Sequence, residues 1–208
     1  MAMAPTRGFL GAKFWPASVA ALALSALVTF ASDAASAAEE RLAELRQRYG
    51  DNHPQVAAQR ARLVEHQKLA GSGEPEVLVN ARVELAALRV RYGERHPRLQ
   101  EQVSRVARMN EKFKLNPKMP PELLEAWGDL AAAELRYGDR NVRVVTARVR
   151  VQALERHLPG AGDEARELRL ARAEVDTLLV RYGEQHPKVI AARQQVSKLA
   201  GAPGNTGK

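Results

Sequence analysis

Apolar residues along this chain recur at alternating spacings of three and four. In the last such segment Leu168, Ala171, Val175, Leu178 and Tyr182 fall on one stripe of a helix. Gly183 follows directly, where a residue able to take the left-handed conformation closes a helix, and Arg181 suits the negative end of the helix dipole. Pro187 then restarts the chain as a first-turn proline, with His186 in the capping position. Val189, Ala192, Val196 and Leu199 form the returning stripe. A gap of about four residues between the two stripes predicts antiparallel neighbours.

The same order of elements occurs four times. Tyr49, Tyr92, Tyr137 and Tyr182, all the tyrosines of the chain, are 43, 45 and 45 residues apart, each ending a leading stripe. In the second unit Leu78, Ala81, Leu85, Leu88 and Tyr92 lead into Gly93, His96 and Pro97, and Leu99, Val103, Val106 and Phe113 return. In the third, Leu123, Leu130, Ala133 and Tyr137 precede Gly138, but Asn141 and Val142 replace the His-Pro pair; asparagine is itself a good cap. Its return stripe is Val144, Ala147, Val151, Leu154 and Leu158. The first unit, with Leu42, Leu45, Tyr49, Gly50, His53 and Pro54, puts Gln59 and His66 at apolar positions of its return helix, an irregularity common in terminal repeats.

This periodicity predicts an all-α chain of four tandem antiparallel helical hairpins, over 39–70, 74–115, 120–158 and 162–200, with a period of about 45 residues, stacked as a short solenoid or a coiled-coil-like bundle. Linkers rich in Pro and Gly at Gly71–Pro75, Asn116–Pro121 and Pro159–Gly162 separate the hairpins, and the Gly-rich tail 201–208 reads as disordered. A lone hairpin is marginal, because burying a Val or Leu side chain gives about 1.5–3 kcal/mol against about 1–2 kcal/mol of backbone entropy per ordered residue. A second contact surface is therefore expected, and Val77, Val83, Val90, Leu124, Trp127, Leu135, Leu170, Leu179 and Val180 lie off the main stripes to supply it, between hairpins or by self-association.

Residues 1–38 read differently. Arg7 and Lys13 precede an apolar run from Phe14 to Ala31, and Ala35-Ser36-Ala37 offers the small-residue pattern of a cleavage site. This is the order of an export signal, which places the protein in the periplasm or outside the cell; the alternative is an uncleaved membrane anchor, since the run approaches spanning length. The chain has no cysteine, which excludes thiol catalysis, Cys-ligated zinc and redox motifs. Its net charge of +8 is a modest basic excess.

Candidate chemistry lies in the recurring polar residues. His53, His96 and His186 each precede the proline that opens a helix and read as turn residues, since separate turns cannot supply the converging ligands a zinc site needs. The tyrosines read as rings closing the core with wet hydroxyls. Arg48, Arg91, Arg136 and Arg181 recur beside the tyrosines, so stacking could align them along one side as contacts for an anionic polymer, or leave them offsetting helix dipoles and pairing with Glu44, Glu84 and Glu134. No phosphate loop or nucleophile motif is present, so no enzyme activity and no cofactor are expected. The expected partners are further copies of the chain, an envelope protein or an acidic polysaccharide, rather than nucleic acid.

The phrase RYGxxHPxV, carried by Arg181-Tyr182-Gly183 and His186-Pro187-Lys188-Val189 and by the runs from Arg48 to Val56 and Arg91 to Leu99, resembles a motif in the periplasmic helical region of polysaccharide co-polymerases and chain-length determinants. That resemblance implies an oligomeric helical element of the cell envelope connected with surface-polysaccharide export. The GxxHPxV turn is also similar to that of kinesin-light-chain-type tetratricopeptide repeats, which implies peptide binding.

Overall fold

The computed structural model describes residues 37–158 and 165–201, so the export-signal reading of residues 1–38 lies almost wholly outside it, as do the linker at Pro159–Gly162 and the tail beyond Gly201. The described residues form eight helices and no strand: α1 (37–49), α2 (Pro54–Leu69), α3 (Glu76–Arg91), α4 (Pro97–Leu115), α5 (Pro121–Tyr137), α6 (Val142–His157), α7 (Arg166–Tyr182) and α8 (Pro187–Gly201). Gly201 is thus the last helical residue rather than the first of the tail. None of these helices is long and apolar enough to cross a membrane.

Local chemistry sets the helix starts. The side chains of His53, His96 and Asn141 accept hydrogen bonds from the backbone N–H groups of Gln55, Arg98 and Arg143 at 3.2, 3.2 and 2.9 Å. His186 accepts from Lys188 in the same way at 3.2 Å. Each occupies one of the orphan donors of a helix N-terminus, and the following prolines need no such partner. Replacing His96 by Ala is expected to cost about 0.5–2 kcal/mol in urea unfolding while His96→Asn is nearly neutral, since only the asparagine keeps a hydrogen-bond acceptor at the capping position.

The helix ends differ from the sequence expectation in two respects. Gly138 (φ 72°, ψ 160°) and Gly183 (φ 78°, ψ 166°) close α5 and α7 in the extended positive-φ region rather than in the left-handed helical well. Gly93 needs no positive φ at all. There α3 stops one residue earlier, and Tyr92 turns the chain in ordinary extended geometry (φ −128°, ψ 145°) with its N–H bonded to the Leu88 carbonyl.

Packing is an open succession. Among the described residues each helix from α2 to α8 packs on its chain neighbours, and within that set α3 with α5 is the one further pair in contact. Contacts across the linkers (α2 on α3, α4 on α5, α6 on α7) are more extensive than those across the turns that follow the tyrosines. The units are therefore as firmly joined to each other as they are closed within themselves. Among the described residues, two clusters of buried side chains straddle a hairpin boundary. Leu78, Ala81, Leu85, Leu99, Val106 and Met109 of the second hairpin enclose Leu124 from α5. Leu123, Leu130, Val144, Val151, Leu154 and Leu158 of the third enclose Ala173 from α7. Leu124, placed off the main stripe by periodicity, is fully buried, whereas Val103, placed on it, is 43% exposed and Met109 is buried instead.

Polar contacts repeat with the same period. Gln59 and Gln102 donate to the carbonyls of Ala38 and Ala81 at 3.2 and 2.8 Å, so the buried glutamine of the first unit is a satisfied bridge between the helices of its hairpin. Arg62–Glu84 (2.7 Å) and Arg105–Asp129 (3.2 Å) occupy equivalent positions across successive hairpin boundaries. Glu122 and Arg166 join the third hairpin to the fourth at 2.6 Å. Partial burial works against the Glu122 carboxylate, but the hydrogen bond and charge of Arg166, with a bond from its own backbone, hold its pKa below the usual range.

Candidate functional site

The tyrosine of each turn is held in a stack of charged and aromatic groups. Tyr49, Tyr92 and Tyr182 lie against His53, His96 and His186, with ring centroids 4.6, 3.9 and 4.4 Å apart and planes inclined by 19°, 17° and 21°. Arg48, Arg91, Arg136 and Arg181 each place a guanidinium 5.1–5.6 Å from the centroid of the adjoining tyrosine. In the third unit, where Asn141 replaces histidine, Arg143 takes the empty side: its guanidinium lies 4.9 Å from the Tyr137 centroid and bonds the phenol oxygen. The tyrosine rings are thus engaged by the turn itself, and the arginines beside them have a structural contact as well as a charge.

These four arginines do not share one cavity. Arg136 and Arg181 converge with Arg143 and Arg150 on a groove of about 610 Å³ lined by α5, α6 and α7 and by Glu101 of α4, with Ala126, Ala133 and Ala147 among its apolar walls. Arg91 lines a smaller cavity of about 180 Å³ together with Arg41 and Arg62. Arg48 lies over Tyr49. Arg143 and Arg150 were not singled out by periodicity, because nothing in a single stripe shows which polar face of α6 the next hairpin will overhang. Their separation of seven residues, two helical turns on one face, is the signal that could have found them.

Electrostatically the groove is only partly neutralised. Arg136 pairs with Glu101 at 3.2 Å and Arg150 with Asp129 at 3.4 Å. Among the described residues no carboxylate pairs with Arg143 or Arg181. Burial pushes the Asp129 carboxyl above its usual pKa, with Glu125 adding to the effect, against the pull of Arg105 and Arg150. Guanidinium groups over small apolar side chains suit the recognition of carboxylate, sulfate or phosphate, because the planar fork donates two parallel hydrogen bonds to such groups.

Histidine and carboxylate meet elsewhere. His157 Nε2 lies 3.1 Å from Asp176 Oδ2 beside a depression of about 400 Å³ that Ser197 also lines. The Ser197 hydroxyl donates to the Arg193 carbonyl at 3.1 Å, so this serine is committed to its own helix and is not hydrogen-bonded to the imidazole. Among the described residues no three His, Cys, Asp or Glu side chains converge as a metal site. No family model, no curated protein and no solved structure matches this chain.

Proposed function

We propose that this protein is a non-enzymatic helical-repeat scaffold of the cell envelope that holds an acidic polymer in the arginine groove between its third and fourth hairpins. The observation that carries the reading is the pair Arg143 and Arg181, two cations in one groove without a carboxylate partner among the described residues. Acidic polysaccharide is the favoured ligand class over nucleic acid. Non-specific single-strand binders present free aromatic faces on which bases stack, whereas Tyr137 is covered by Arg136 and Arg143, and Tyr182 by His186, Arg181 and Lys188. Envelope location rests on the basic, apolar and small-residue order of residues 1–38, and connection with polysaccharide export on the RYGxxHPxV resemblance.

The test is retention on immobilised polygalacturonate at low salt. The chain beginning at Ala37 should be retained and elute as salt rises, and the double variant Arg143→Glu/Arg181→Glu should pass through with its helical circular dichroism intact. Failure of the unaltered chain to bind at low salt sinks the reading. Self-association is a second reading, favoured by Val90, Leu135 and Val180, which stand at the same repeat position two residues before Tyr92, Tyr137 and Tyr182 and are 48%, 54% and 49% exposed. Sedimentation of a strict monomer at high concentration would dispose of it.

A further inference from the structure

The groove recurs in the first hairpin. Moving 88 residues back along the chain carries Asp129, Ala133, Arg143, Thr146, Ala147 and Arg150 onto Arg41, Leu45, Gln55, Ala58, Gln59 and Arg62, all of which line the smaller cavity. The residue before the next tyrosine completes each: Arg181 in the larger groove, Arg91 in the smaller. The correspondence is between two separate concavities, each lined by the two helices of one hairpin and by an arginine of the next; the larger is lined in addition by Glu101 of the second hairpin. Arg62 is paired with Glu84 at 2.7 Å, but among the described residues no carboxylate pairs with Arg41 or Arg91.

The second hairpin departs in residue type from both at one of these positions. The position held by Ala58 in the first hairpin and Thr146 in the third is Glu101 in the second. Its carboxylate reaches the roofing arginine of that junction, Arg136, at 3.2 Å and neutralises it. We infer that the array carries two arginine sites for carboxylates of one linear acidic polysaccharide, at the first and third hairpins, and that Glu101, by holding Arg136, blocks the equivalent position between them and occupies one cation of the larger groove. This rests on the acidic-polymer reading above and adds to it a second site and a built-in block. A polymer bridging both sites gains avidity that a short fragment cannot, because engagement of the second site becomes intramolecular.

The experiment compares long polygalacturonate with trigalacturonate on the chain beginning at Ala37, its Arg91→Gln, Arg181→Gln and Glu101→Gln variants, and Glu94→Gln as a control for loss of an exposed turn carboxylate. The polymer is expected to bind at least about tenfold more tightly per chain than the trisaccharide. Arg91→Gln and Arg181→Gln should each remove most of that advantage, while Glu101→Gln, by releasing Arg136, should tighten polymer binding up to about tenfold and Glu94→Gln should not. Thermal unfolding of each variant separates loss of a site from loss of the fold. If Arg181→Gln weakens binding but Arg91→Gln leaves it unchanged, whatever Glu101→Gln does, the two-site inference is overturned and the single-groove reading stands. If the unaltered chain does not bind polygalacturonate, the reading itself fails. Equal or tighter binding of single-stranded DNA with the same dependence on Arg91 and Arg181 overturns the ligand class.

Discussion

Truncation of Leu124 to alanine is expected to destabilise the protein by about 2–5 kcal/mol and to uncouple its two halves. Leu124 belongs to α5 but is wholly buried among residues of α3 and α4, including Leu78 and the equally buried Met109. The void it would leave cannot close by helix movement. One turn further along α5, a Cβ on Gly128 would lie 2.8 Å from Arg105 Cγ and 2.9 Å from Met109 Cγ and Sδ, so α4 and α5 are already at their closest approach. In an array bonded through nearest neighbours, weakening one boundary also weakens communication across it. Trp127 reports on this boundary, with Lys112 Nζ of α4 lying 3.8 Å from its ring centroid. In a Trp15→Phe background, urea unfolding followed by Trp127 fluorescence and by far-ultraviolet circular dichroism should coincide for the parent chain and separate for Leu124→Ala. A loss below about 1 kcal/mol with coincident transitions would show that the boundary is not held as described.

The contrast between what was and was not legible follows the range of the interactions. Helix starts at Pro54, Pro97 and Pro187 and the caps at His53, His96, Asn141 and His186 depend on atoms two residues apart, so the turn phrase alone carries them. Which off-stripe residue is buried depends on how the next hairpin is seated. Periodicity therefore named Leu124 and Val90 alike as spare apolar surface, although one is enclosed by the preceding hairpin and the other is half exposed. It also placed Val103 in the core, yet Val103 is 43% exposed while Met109 of the same helix is buried. The candidate site divides in the same way. Arg136 and Arg181 were visible as repeated neighbours of tyrosine, whereas their convergence with Arg143 and Arg150 needs three helices in place.

The glycines of the repeated phrase look interchangeable in sequence, yet alanine substitution should separate them sharply. Gly138→Ala and Gly183→Ala are each expected to cost about 1–3 kcal/mol, because φ near 75° with ψ near 160° is accessible to almost no residue but glycine. Asparagine, which tolerates the left-handed helical well, should rescue neither. Gly93→Ala should be neutral or stabilising by about 0.4–1 kcal/mol, since its φ is not positive and alanine restricts only the unfolded chain. Crowding does not confuse the comparison, because a Cβ at any of the three meets no atom within 4 Å. Denaturant midpoints of the three single variants decide the matter, and equal losses at Gly93 and Gly183 would contradict the different helix endings. The cost at Gly183 should be local: among the described residues α8 packs on α7 alone, so Gly183→Ala should expose α8 amides to hydrogen exchange before those of α3 and α4.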